Sequence, residues 1–322
     1  MRGRSSHRPA RKSSHVRRRG SAVSNDERAR TVDGMGDDAD RGYFGPDSVS
    51  WQVHREVTVL FGGARALLMQ AAHPLVVAGA NQTGMYERNP WKRLQRTLIL
   101  TYSMTFGTKA QADSAAERIN DVHTRINGVD PVTGKPYDAL DPELLLYVHA
   151  CLVDSAILFE ALTVGALDDA GRQRFHEEQM LAAELCLVPR SMIPPTWQGL
   201  RAWLAEFEHR GELQVTEGAR RVLDLFFDPP KEAEWRPVLR GVSRLAYGTL
   251  PAGIRSIYGV PFGPVKRAAM RSSFPVIRAV RPLLPPKYRF IAPYTEYLLR
   301  QQGVDVESDV ERVRRSVGIR LG

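Results

Sequence analysis

The stretch from Asp141 to Leu167 constrains this chain more than any other. Asp141 is placed to cap a helix and Pro142 to occupy its first turn. The residues behind them, LLLYVHACLVDSAILFEALTVGAL, are apolar nearly all round, with His149, Asp154 and Glu160 as the strongly polar members. Such a helix either crosses a bilayer or lies at the centre of a bundle. Three ionisable groups spread along it make a membrane span costly, which favours a buried central helix. The remaining elements must then wrap it.

Their patterning is helical throughout. Ser48 or Ser50 is placed to cap a helix through Trp51, Val53, Val57, Val59 and Leu60. Gly62-Gly63 predicts a break, after which ARALLMQAAHPLVVAGA is apolar but interrupted by Arg65, Gln70, His73 and Pro74. Pro74 denies the helix a hydrogen bond and predicts a kink or an end beside His73. Pro90 lies near the first turn of the next helix, on which Arg93, Thr97, Thr101 and Thr105 follow at intervals of four. Those hydroxyls either face something polar or bond back to carbonyls one turn earlier.

Ser114 and Glu117 have the spacing of a capping box. Ala115, Ile119, Val122, His123 and Ile126 recur at helical spacing up to Gly128, a left-handed stop, which directs His123 into the core. Later helices are expected over 170–187, from Trp197 to His209 capped by Thr196, from Glu217 to Phe227 capped by Thr216, and from Tyr294 to Gln302. Prolines shorten the pattern beyond Trp235. No stretch alternates as a strand would. The expected fold is all-α, a single large helical bundle, with a basic tail over 1–42, one helical domain over 43–302 and a charged tail over 303–322.

A buried imidazole must bond or ligate something. His73, His123 and His149 all fall on apolar patterns, with Arg93 and Thr97 on a neighbouring element, and together they are the candidate site. Competing sites are not supported by the sequence. There is no glycine-rich phosphate loop and no Gly-x-Ser-x-Gly elbow, and a lone Glu-x-x-His at Glu206–His209 has no second copy. Cys151 and Cys186 lack zinc spacing and read as small buried hydrophobes in a reducing compartment.

The net charge of +9 is concentrated at one end. Residues 1–34 hold ten Lys/Arg against three acids, leaving the rest near neutral, so no nucleic-acid partner is expected. That segment reads as a dispensable tail, as a basic arm for nucleic acid or anionic lipid, or as residues preceding a start at Met35. No apolar segment follows its arginines, so a cytoplasmic location without a transmembrane segment is expected.

QAAHPLVVAGA, WKRLQRT, RINDVHTRINGV and YDALDPELLLYVHACL, in that order, resemble the oxygenase MpaB family, which includes the latex-clearing proteins. The likeness runs from Val53 to Phe207 and takes in VPRSMIPPT. It implies an all-helical fold around a haem pocket, with haem b and its iron held by one histidine. It also implies an oxygenase that uses dioxygen on carbon–carbon double bonds of isoprenoid chains. His123, within Asp-Val-His-Thr-Arg, matches the iron ligand. Arg93 and Thr97 match the Arg-x-x-x-Thr pair of the haem pocket and are the catalytic candidates. His73 and His149 sit in family-typical motifs as further cofactor-binding candidates. Arg96 stands where latex-clearing proteins carry lysine, which turns the expected substrate from a rubber-like polymer toward a smaller apolar, unsaturated or isoprenoid-like molecule. The alternative implied is a non-catalytic haem or lipid-binding protein of the same fold.

Overall fold

The protein is described by a computed structural model covering residues 41–84, 90–228 and 236–302. The two expected tails therefore lie almost wholly outside the described residues. Fourteen α-helices and one short hairpin make up the described part. In order they are α1 (Val49–His54), α2 (Leu60–Ala71), α3 (Pro74–Gln82), α4 (Pro90–Phe106), α5 (Lys109–His123), β1 (Asn127–Val129), β2 (Pro136–Asp138), α6 (Pro142–Thr163) and α7 (Asp169–Leu185). They continue with α8 (Trp197–His209), α9 (Glu217–Phe227), α10 (Arg236–Gly248), α11 (Ala252–Tyr258), α12 (Pro264–Val280), α13 (Pro286–Arg289) and α14 (Ala292–Gln301). The fold is all-α, as expected.

The helix that anchored the sequence reading is the axis of the bundle. Asp141 accepts from the amides of Glu143 and Leu144, and Pro142 fills the first helical position. α6 is the one described single helix long and apolar enough to cross a membrane, yet thirteen of its 22 residues are buried within the protein. α2, α7, α8 and α12 pack around it. Asp154, one of the ionisable residues that argued against a span, meets Arg65 of α2 at 2.8 Å.

Gly62 and Gly63 do not break the chain. α2 runs straight through them, and the interruption falls earlier, at the turn Val57–Val59. A Cβ on Gly62 would lie 2.7 Å from the Ser155 carbonyl oxygen of α6, so the glycine serves close helix packing rather than a turn. Both sides of that contact are backbone. Gly62→Ala is therefore expected to lower the unfolding free energy by about 1–3 kcal/mol, read from urea denaturation, whereas Gly63→Ala, with open space around it, should be neutral or better.

The cap of α5 is also displaced from the expected position. The capping box is Thr108 with Gln111, each bonding the other's amide, and Ser114 lies inside the helix. Both pairs have the required spacing, but a helix beginning at Lys109 follows α4 after only two residues, Gly107 and Thr108. The connection after α5 is not wholly irregular, since Asn127–Val129 pairs antiparallel with Pro136–Asp138. The turn between them is held by Asp130, whose carboxylate accepts from the Thr133 amide and hydroxyl, and by Gly134 at φ 68°. Gly128 thus sits in a strand and is not a left-handed helix stop. Thr196 and Thr216 cap α8 and α9 as expected.

Candidate functional site

His149 is two positions after Tyr147 on α6, a rotation of about 200°. That rotation divides the expected site in two. On the Tyr147 side lies His73, the residue before Pro74, where α2 and α3 meet at a bend of 104°. The kink expected from the proline is present. His73 is 1% exposed and packs beside the rings of both Tyr147 and Phe207, which stack on each other at 4.4 Å. Among the described residues neither ring nitrogen makes a hydrogen bond. The Glu212 carboxylate stands 3.7 Å from Nε2 instead. Burial lowers the imidazole pKa, and Glu212 partly offsets this.

On the opposite face of α6, His149 lines up with Leu145, Leu152 and Ala156. This face carries no charge, and Leu152 is 45% exposed although it belongs to a helix that is otherwise mostly buried. The Nε2 of His149 is buried without a hydrogen-bond partner among the described residues. Burial, and then the neighbouring His176, push its pKa down to about 4, so the ring is neutral at ordinary pH.

His176, on α7, was not singled out from sequence because RFHEEQ reads as a solvated face. It is fully buried. Its Nε2 lies 2.8 Å from the Pro194 carbonyl, inside the VPRSMIPPT segment. With Nε2–H donating there, Nδ1 keeps its lone pair and finds no partner among the described residues. The element that buries His176 is thus the one that fixes its tautomer.

His123 does not point into the core. It is the last residue of α5 and half-buried, and Val122 beside it is exposed. The inner face of α5 is Ala112, Ala115 and Ala116, small residues that let α4 approach closely. One turn before His123, Asn120 donates its side-chain amide to the Leu185 carbonyl at 2.9 Å and ties the end of α5 to the end of α7. At the far end of the α4–α5 pair, Phe106 packs on Trp51 with ring centroids 4.9 Å apart.

Arg93 and Thr97 lie one turn apart on α4, as the spacing requires. The side chain of Arg93 is outside the described part, and Thr97 is exposed. Thr105 bonds back to the Thr101 carbonyl at 3.1 Å, the plainer of the two readings for that hydroxyl. Tyr102, between them, was overlooked. Its hydroxyl is buried without a partner among the described residues, and burial raises its pKa. A single tyrosine within an apolar helical pattern gives no sequence signal for that.

The site thus offers two neutral imidazoles with bare nitrogens on an apolar face of α6 that reaches the surface at Leu152. Among the described residues no three His, Cys, Asp or Glu converge to hold a metal ion by themselves. The two bare nitrogens and the uncharged, partly uncovered face fit a flat apolar cofactor that brings its own metal and needs few protein ligands. Cys151 and Cys186 are free, and burial raises both thiols, that of Cys186 to about 11, which suits packing rather than ligation.

Comparison with known proteins adds an independent line. Residues 51–280 match the family described as ER-bound oxygenase mpaB/B'/Rubber oxygenase, catalytic domain. The chain is 27% identical over 206 residues to the uncharacterized protein Mb2261 of Mycobacterium bovis and equally to the uncharacterized protein Rv2237 of Mycobacterium tuberculosis. Each match covers 62% of this chain and 71% of the relative. No solved structure matches.

Proposed function

We propose that this chain, which belongs to the mpaB/rubber oxygenase catalytic-domain family, is a haem-dependent oxygenase acting on an apolar, unsaturated or isoprenoid-like small molecule. The observation that carries the reading is the bare Nε2 of His149, buried on α6 without a partner among the described residues, one turn from the exposed Leu152. A buried imidazole without a partner is unfavourable unless a ligand or cofactor faces it.

Haem b, when bound, supplies the activation of dioxygen; the protein supplies orientation and a dry pocket. His123 is the residue the family motif assigns to the iron. At the C-terminal end of α5 the helix dipole places partial negative charge beside its ring, which favours electron donation. Asn120, anchored to Leu185, keeps that end of the helix in place. Arg93 is the cation suited to a propionate or to negative charge developing on oxygen, and Thr97 places a hydroxyl one turn away. His149 and His176 add hydrogen-bonding capacity without charge, and Leu152 and Ala156 exclude water from the apolar part of the substrate.

The test is the ultraviolet–visible spectrum of protein purified from haem-supplemented cells, beside His123→Ala and His149→Ala. A Soret band lost only in His123→Ala is the expected result, followed by oxygen uptake with alkene substrates. A band lost only in His149→Ala transfers the iron to the imidazole with the bare Nε2, a reading the structure gives reason to test. Colour without oxygen uptake favours a carrier of the same fold, and no band in any sample ends the haem reading.

A further inference from the structure

The near-neutral sum of the folded part conceals a segregation. From Arg236 to Thr295 the chain holds eleven Lys/Arg and no Asp or Glu. This stretch builds α10 to α13 and the start of α14. We propose that its outermost helix, α12, is a docking surface for an anionic lipid bilayer.

α12 turns outward a face unlike that of an ordinary surface helix. Its inner face, Met270, Phe274 and Ile277, packs with Phe159 and Leu245. A helix at the edge of a bundle ordinarily turns charges to solvent on the opposite side. α12 instead sets Val265, Ala269, Ser272, Val276 and Val280 there, at intervals of three or four, with Val265 80% exposed and Val276 61%. Lys266 lies nearest the edge of this stripe, while Arg267 and Arg271, one turn apart, project on the side nearer Phe274, with Ala268 and Pro275 between them and the stripe. The exposed apolar surface continues past the helix through Leu283, Leu284 and Tyr288, with Lys287 between them.

An uncharged, largely apolar stripe on a helix whose charged side chains are all cations matches the depth profile of an anionic bilayer surface. Acyl chains take up the aliphatic side chains while lipid phosphates pair with the arginines. Nucleic acid would use the charge but has no use for a valine stripe. A groove of about 460 Å³ runs beside α12 over Leu158, Leu162, Met270 and Phe274, with Arg271 and Arg278 at its edge. It gives an apolar chain leaving the bilayer a place against α6. The proposal does not depend on the reaction assigned above.

The test is co-sedimentation of the full chain with phosphatidylcholine vesicles, with and without a quarter phosphatidylglycerol. Binding is expected with the anionic vesicles alone and should weaken as salt is raised. Val276→Asp and the double reversal Arg267→Glu/Arg271→Glu should each lower partitioning about tenfold or more. All three positions are on the surface, so thermal unfolding followed by circular dichroism should be unchanged and serves as the control. Failure to bind anionic vesicles overturns the proposal. So does binding that neither variant weakens, which would assign it to the basic residues 1–34. A dimer dissociated by Val276→Asp without any vesicle binding would give the face to a second copy, and binding displaced by RNA but indifferent to Val276→Asp would give it to nucleic acid.

Discussion

Arg65→Met should remove about 3–5 kcal/mol of stability, the largest loss expected from any single substitution here. The guanidinium is buried at the junction of three helices. It pairs with Asp154 of α6 at 2.8 Å, donates to the Ser155 hydroxyl at 2.7 Å and reaches the Thr249 carbonyl at the end of α10 at 3.1 Å. Methionine keeps much of the apolar stem, so the loss reports the interactions of the head group. What remains behind is the reason for its size. Asp154 loses its nearest cation and keeps only Arg201, which is 3.9 Å away and largely exposed. Glu208 is affected as well. Burial already pushes its carboxyl up to about 7, and Arg65, more than His209, draws it back. Without Arg65 the folded-state pKa rises further above the unfolded value. Such a carboxyl loses stability as pH climbs through the interval, so the deficit should be larger near pH 8 than near pH 5. The double variant Arg65→Met/Asp154→Leu should recover part of the loss, because both buried charges are then gone. Urea unfolding at two pH values measures all three effects. A double variant as unstable as the sum of the singles would show that packing, not charge, holds this junction.

The parts of this fold legible in sequence are those fixed by local chemistry. Asp141-Pro142, Thr196 and Thr216 each announced a helix start because a cap and its amides lie within four residues. The bend at His73-Pro74 follows from one missing amide hydrogen. Features determined by a distant partner were hidden. Gly62 looked like a break because nothing near it reveals that the Ser155 carbonyl of α6 will press against it. His176 sits in a polar run and becomes a buried neutral imidazole only through Pro194, eighteen residues on. His73 and His149 both read as core histidines, and the sequence could not say that α6 would stand between them. Thr108-Gln111 and Ser114-Glu117 were equivalent as spacing alone, and the short turn from α4 decided between them. Charge misled for a different reason. Summing it over the chain erased the sixty-residue stretch without an acid that the structure gathers around α12.

Glu160 should subtract from stability as pH rises from 4.5 to about 8, and Glu160→Gln should remove that contribution. Glu160 is 1% exposed near the end of α6, and Glu56, equally buried, faces it from the turn before α2. Glu56 is held by Arg281 and, at 3.3 Å, by Arg289, both from the segment after α12. One oxygen of each carboxylate nevertheless finds no partner among the described residues. Burial first, and the charge of Glu56 second, raise the Glu160 carboxyl to about 8, while Arg281 and Arg55 act against them. The sign follows directly. Between the unfolded value of 4.5 and the folded value near 8, the native protein holds a proton that the unfolded chain has released. Raising the pH therefore favours unfolding across that window, and above it the penalty is complete. Glutamine has nearly the shape of the protonated acid and cannot ionise. At about pH 8.5 the variant should be more stable than the parent by roughly 2 kcal/mol or more, with little difference near pH 5. Arg281→Met should act in the opposite direction, since it removes a cation that stabilises the ionised form and leaves Glu56 with Arg289 alone. Urea midpoints across this range decide the matter. If Glu160→Gln keeps the parent's slope, Glu160 ionises in the folded protein as it does in the unfolded chain, and the two arginines serve both acids rather than Glu56 alone.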